Sequence, residues 1–272
     1  MKKTFLLYIT FSLLATMLCS CGKLLSKNYV EDANCNLNMK MIYVKGGQFL
    51  MGVSSEQYGS AQNDEFPAHT VELDSYYIGE CEITQSQWEK IMGTSIYQQQ
   101  RFANGEFSGF SGVGDDYPMY FINWYEAQEF CCRLSQITGK RYMLPTEAQW
   151  EYAARSGKRN EETIFCGGDY LGVVGWNNEL YAHPVKQKQP NKLGLYDMSG
   201  NVWEWCSDWY SASYYNVSPR RNPYGAPTGI RRMLRGGSWV SSASDCRISN
   251  RARSIPTDRD NNNGFRVVCI PY

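Results

Sequence analysis

The chain has 272 residues, its 27 Lys plus Arg balance 27 Asp plus Glu, and it holds only two histidines, His69 and His183. The even balance leaves no electrostatic footprint for nucleic acid or an anionic membrane surface, so no partner of either kind is expected on that ground. Two histidines exclude a multi-histidine metal centre and leave few options for a Ser-His-Asp triad; both read as local hydrogen-bonding groups.

In chain order, Lys2 and Lys3 precede an apolar run from Phe5 to Leu18, which is a secretory signal's charged head and hydrophobic centre, too short to span a membrane. Leu18-Cys19-Ser20-Cys21 resembles a bacterial lipobox, with Cys21 the residue that would carry the lipid. The expected divisions are a signal peptide over 1–20, an anchor and tether over 21–38, and one domain over 39–272. Export follows, with lipid anchoring to the bacterial envelope. The outer membrane is the expected destination; no acidic run after Cys21 selects a leaflet. The cysteines beyond the signal and anchor are Cys35, Cys81, Cys131, Cys132, Cys166, Cys206, Cys246 and Cys269. Their spacing gives no paired zinc pattern, and an exported protein can oxidise some of them in a connectivity that sequence does not fix.

Within the domain, capping chemistry predicts three helices. Thr84 opens one through Trp88 to Met92. Asn123 with Glu126 resembles a capping box for a helix reaching Ile137, closed by Gly139. Thr146 with Gln149 repeats the device, with Gly157 as the stop. The Gly-rich stretch from Gly105 to Gly114 reads as a surface loop, since it lacks the strand-to-helix context of a nucleotide site. Residues 194–210, GLYDMSGNVWEWCSDWY, gather three Trp and two Tyr beside Asp197, Asn201, Glu204 and Asp208. They read as a core strand entered through a tight Ser199-Gly200 turn. The same turn offers hard oxygens, from Asp197, the Gly200 and Val202 carbonyls and Glu204, to a structural Ca²⁺.

That stretch is similar to the central signature of formylglycine-generating enzymes and the wider sulfatase-modifying-factor family. Four further pieces recur in the family's order: MIYVKGGQFLMG (41–52), HTVELDSYYIGECEIT (69–84), GKRYMLPTEAQWEYAAR (139–155) and LRGGSW to GFR (234–266). The resemblance implies an α+β fold, the sulfatase-modifying-factor variant of the C-type lectin fold, with short strands, loops and a few helices. Such a fold hosts enzymes and non-enzymes alike. A second calcium site of the family would fall near Trp176-Asn177-Asn178, where the segment lacks an obvious Asp.

In the family's enzymes two cysteines five residues apart, after a Gly-Gly-Ser-aromatic turn, bind copper and activate oxygen. Counted from Gly236-Gly237-Ser238-Trp239, those positions fall on Ser241 and Cys246. A hydroxyl does not replace a thiolate toward Cu(I), so the copper site reads as degenerate, no copper is expected and catalysis is disfavoured. Cys206 is the one substitute thiol, and also a possible disulfide partner for Cys246. Arg235, Arg247, Arg251, Arg253 and Arg266 punctuate the same segment. The resemblance implies that such arginines pair with buried acids, here Glu204 or Asp208.

Between Val240 and Asn263 the chain has no Lys, Glu, Gln, Met or Trp. Every residue present can be encoded by a codon ending in a pyrimidine, as mutated adenines of Asn codons would leave. This resembles the variable region of retroelement-diversified proteins, in which changed side chains sit on an exposed loop face that binds partners. The expected contact residues are Val240, Ser241, Ser242, Ser244, Asp245, Ile248, Ala252, Ser254, Ile255, Thr257, Asp258, Asp260, Asn261 and Asn262. Three functional classes follow. The first is a lipid-anchored binding protein for a macromolecule or glycan. The second is a formylglycine-generating oxidase. The third is a structural lipoprotein of a secretion or motility apparatus.

Overall fold

Short runs of alternating apolar residues, each broken by a turn within a few positions, build most of this domain. The computed structural model describes residues 27–53, 59–103 and 109–271. The expected signal peptide and the lipidation site Cys21 lie outside the described residues, as does part of the Gly105–Gly114 loop. In order come β1 (Tyr29–Glu31), β2 (Met39–Val44), β3 (Gly47–Met51), β4 (His69–Leu73), β5 (Tyr76–Gly79), α1 (Gln85–Met92), α2 (Ile96–Phe102) and α3 (Trp124–Thr138). They are followed by β6 (Arg141–Met143), α4 (Glu147–Ala154), α5 (Leu171–Val174), β7 (Trp203–Trp209), β8 (Arg232–Arg235), β9 (Ala252–Ser254), β10 (Asn263–Gly264) and β11 (Val268–Ile270).

The first sheet runs β1-β2-β5-β11-β6 with antiparallel neighbours, so the last strand of the chain closes between two early ones. The second runs β10-β7-β8-β9, and β3 pairs with β4 as a separate hairpin. Long irregular connections join these strands, and those after β8 carry most of the candidate site. None of the described helices is long and apolar enough to cross a membrane.

Capping positions the helices as their sequences predict. Thr84 Oγ1 accepts from Gln87 N, Asn123 Oδ1 from Glu126 N and Thr146 Oγ1 from Gln149 N, each closing a capping box. Gly139 ends α3 in the left-handed conformation. α4 stops at Ala154, before the expected Gly157, and α2 carries a capping box of its own at Ser95 and Gln98 that was not anticipated. One core cluster centres on Trp88, Phe130 and Phe265, with Trp88 and Phe130 stacked at 5.9 Å. A second surrounds Trp150, Tyr76, Met198 and Cys206.

The expected tether over 21–38 needs correction. β1 falls inside it and pairs with β2, while Ala33 and Leu37 are buried. Glu31 explains the docking: its carboxylate takes the Tyr142 hydroxyl at 2.6 Å and the Lys140 ammonium, tying β1 to β6 across the sheet. The eight described cysteines are all unpaired thiols, so Cys206 and Cys246 form no disulfide.

Candidate functional site

Beneath the C-terminal loops lies a layer of buried ion pairs. Arg247 meets Glu65 through two hydrogen bonds of 2.6 and 2.8 Å, and Ser249 Oγ adds a third at 2.6 Å. Arg251 is bidentate to Glu147 at 2.7 and 3.0 Å. Arg235 pairs with Glu151, one helical turn along α4, and Arg266 holds both oxygens of Glu204 at 2.6 and 2.7 Å. All eight charged side chains are buried. Burial opposes ionisation of Glu147, but Arg251 and Arg235 outweigh it and hold the carboxyl below its ordinary range. Arg247 and Ser249 do the same for Glu65 against its own burial. Forked guanidinium–carboxylate geometry makes such pairs directional, and removing one partner strands a buried charge.

Asp208, expected to pair with an arginine, does not do so. Its Oδ2 accepts from Glu147 N at 2.9 Å and from Ser207 Oγ at 3.1 Å, capping the start of α4 from β7. Burial, reinforced by Glu147, pushes its pKa up to about 7. Glu204 is the correct half of that expectation.

The Gly236-Gly237-Ser238-Trp239 turn follows β8. Gly237 has φ 78°, and a Cβ there would lie 2.5 Å from Cys246 Sγ, so glycine lets the turn press directly onto the thiol. Ser241 Oγ accepts from Ser238 N at 3.1 Å and lies 2.9 Å from Ser238 Oγ. A hydroxyl pair thus fills the position where the family's first copper thiolate would stand. Burial pushes the Cys246 thiol up to about 12, which disfavours the thiolate that soft metals require. Cys206 sits in the other core cluster, its own thiol raised well above the ordinary value by burial. With Ser241 in place of one thiolate and Cys206 in a different cluster from Cys246, a single thiol remains where linear Cu(I) takes two, so these residues do not fit that ion.

The turn before β7 is built on Asp197 and Asn201, both with positive φ, and on Gly200, where a Cβ would lie 1.9 Å from Trp176 O. Asp197 Oδ2 accepts from Lys186 N at 2.7 Å, while its Oδ1 and both oxygens of Glu82 are buried without a partner. Burial, with Glu204 adding to it, raises Asp197 to about 6, and burial with the Asp197 charge beside it raises Glu82 well above its ordinary value. Partnerless buried carboxylate oxygens are what a hard cation would satisfy. Glu204 has less to give, because Arg266 already takes both of its oxygens. Among the described residues no three acid, His or Cys side chains converge on one point, so the Gly200 and Val202 carbonyls would have to complete a shell.

The contact residues expected from sequence divide by burial. Val240, Ser242, Ser244, Ile255, Thr257 and Asp260 are exposed; Asp245, Ala252, Ser254, Asp258, Asn261 and Asn262 are half-buried. Ile248 is fully buried among core side chains and Ser241 is only 9% exposed, which removes both from a contact face. Ile248 packs in the second core cluster, and its backbone N–H donates to Ile164 O at 3.0 Å.

Five of these positions, Asp245, Ala252, Ser254, Ile255 and Asp258, line one cleft of about 430 Å³. Trp203, Gln62, Arg231, Asn250, Arg251 and Arg253 complete its walls, and none of these was anticipated as a site residue. Trp203 carried a signal, since it stands in the aromatic stretch. Gln62 carried none, as it arrives from a loop some 180 positions away in sequence. Val240, Ser242 and Ser244 lie on the neighbouring turn, linked to the cleft where Ser242 is capped by Asp245. Asn261 and Asn262 lie behind that turn, where Trp239 Nε1 reaches Asn261 O at 3.5 Å and Asn262 Nδ2 reaches Ser238 Oγ at 3.4 Å.

Comparison with known proteins agrees with this geometry. Residues 27–270 match the sulfatase-modifying factor enzyme 1-like domain. The chain is 30% identical to a formylglycine-generating enzyme of Streptomyces coelicolor, over 84% of this chain and 88% of that one. It is 28% identical to the chaperone protein LppX of Paenibacillus barcinonensis, over 87% and 91%. Among solved structures, Treponema denticola variable protein 1 superposes with a TM-score of 0.74 and 29% identity, covering 90% of this chain and 99% of that one. The α+β architecture is thus that of formylglycine-generating enzymes within the C-type lectin fold, and the chain belongs to the sulfatase-modifying factor enzyme 1-like family.

Proposed function

We propose that this protein is a lipid-anchored recognition module of the bacterial envelope, held by Cys21, whose loops between Val240 and Asn263 contact a macromolecular or glycan ligand. The observation that carries the reading is the sorting of that segment. All expected contact residues except Ser241 and Ile248 reach the surface, while Arg247 and Arg251 between them are locked inward. A face whose side chains can change without disturbing the ion pairs below is suited to varied binding. The likeness to Treponema denticola variable protein 1 supports it. A structural Ca²⁺ at Asp197, with the Gly200 and Val202 carbonyls and Glu204, belongs to the same proposal, supported by the partnerless Asp197 oxygen.

A second reading, an oxidase that makes formylglycine, is favoured by the Streptomyces coelicolor relative. Ser241, in place of a second thiolate, speaks against it. Incubating the purified protein with Cu(I) and a sulfatase-motif peptide separates the two. Recognition alone predicts no stoichiometric copper retention and no conversion of the peptide cysteine, whereas turnover of the peptide would establish the oxidase.

A further inference from the structure

The cleft has two properties that the loop-face reading does not use. Its long wall is β9 with Ile255, and β9 is the terminal strand of its sheet, paired only with β8. An edge strand offers unpaired backbone donors and acceptors in register for another extended chain. The other property is an excess of unspent donors. Asn250 is 2% exposed, lines the cleft, and its Nδ2 has no hydrogen-bond partner. A buried amide donor left unmade is costly unless something else completes it.

The charged groups on the walls point the same way. Asp245 Oδ2 accepts from Ser242 N and Oγ, and Asp258 Oδ2 accepts from Ser254 Oγ and Ile255 N, so one oxygen of each acid is held in a local cap. Arg251 is spent on Glu147. Arg231 is exposed, and Arg253 donates one nitrogen to Tyr210 Oη at 3.0 Å while its remaining donors stand at the rim. Tyr210 in turn donates at 2.7 Å to Asp64, a buried acid outside the cleft lining. The indole of Trp203 supplies an apolar wall.

We propose that this cleft receives an extended acidic peptide segment of a protein partner, which adds a strand to the open edge of β9 and sets a carboxylate against Asn250, Arg231 and Arg253. The proposal rests on the recognition reading and names its ligand class. Main-chain pairing with β9 supplies sequence-independent affinity, and the positions at 245, 252, 254, 255 and 258 select among side chains. Gln62, Trp203 and Arg231, outside the diversified stretch, form the constant part.

Fluorescence anisotropy with the full chain tests this, using a labelled eight-residue peptide alternating Thr and Glu. The controls are its Thr-Lys counterpart, a version N-methylated at alternate amides, and an oligogalacturonate. The Thr-Glu peptide should bind at least tenfold more tightly than all three. Arg231→Glu, at an exposed position, should weaken it at least tenfold with an unchanged melting temperature, and Asn250→Asp should do likewise if it folds. Absence of Thr-Glu binding, equal binding of the Lys or N-methylated peptide, tighter binding of the oligogalacturonate, or indifference to Arg231→Glu would each overturn the proposal. Such a failure leaves the recognition reading standing if the copper and peptide-turnover assays remain negative.

Discussion

The stretch from Val240 to Asn263 and the layer beneath it are neighbours in space and opposites in energetics. Above, Val240, Ser244 and Thr257 project into solvent, and little in the fold depends on their identity. Below, Arg247, Arg251 and Arg266 are bidentate to Glu65, Glu147 and Glu204 in a buried setting where each charge is tolerable only because its partner is present. The lesson is that one segment can be variable and fixed at once, residue by residue. At Arg247 and again at Arg251 an arginine turns inward and pins the backbone between exposed positions.

The largest expected effect attacks the lower layer. Arg247→Ala should cost about 3–5 kcal/mol, because it leaves Glu65 buried, charged and bonded only to Ser249 and the Gln62 backbone. Chemical denaturation reads this directly, and a loss below about 1 kcal/mol would erase the distinction between the layers.

Next in size is the turn before β7, which belongs to the interior. With Ca²⁺ at a hundred times its dissociation constant, linkage stabilises the fold by about 2.7 kcal/mol. Chelator should therefore lower the melting temperature, and Asp197→Ala should remove that response. A wild-type melt that ignores chelator rejects the ion.

A smaller effect comes from Asp208. Its folded pKa, about 7, lies above the unfolded value, so the native state binds the proton more tightly. The stability it contributes is fully present below the unfolded pKa of about 4 and is lost as pH rises toward 7. Glu65 and Glu147, held low by arginines, act oppositely and lose stability as pH falls below their unfolded range. Melts of Asp208→Asn against wild type from pH 4 to 8 should show a flatter decline on the alkaline side; parallel curves would remove Asp208 as the cause.

The smallest changes belong to the upper layer. Substitutions at Val240, Ser244 and Thr257 should stay within about 0.5 kcal/mol. Ser242 and Asp245 should cost about 1 kcal/mol, since each caps the other's turn. A thermal scan in which Val240, Ser244 and Thr257 destabilise as strongly as Arg247 would collapse the comparison.

Much of this protein was legible in the chain because local chemistry writes it. Thr84, Asn123 and Thr146 announce their helices by side-chain oxygens that reach only three residues forward. The motif from Asp197 to Trp209 marks its turn and strand. Ser241 at a thiolate position was visible by counting. What stayed hidden depends on contacts across the fold. Glu65 meets Arg247 from 182 positions away, so no window of sequence contains the pair. β1 was mistaken for tether because three residues carry no periodicity and dock only through Glu31 against Tyr142 and Lys140. Ile248 reads like its polar neighbours in sequence, and only its packing in the second core cluster and its bond to Ile164 O show that it is interior. The cleft itself, where Gln62, Trp203, Arg231 and Asn250 meet the edge of β9, exists only once four separate segments have packed, because burial and open strand edges are properties of the assembled sheet.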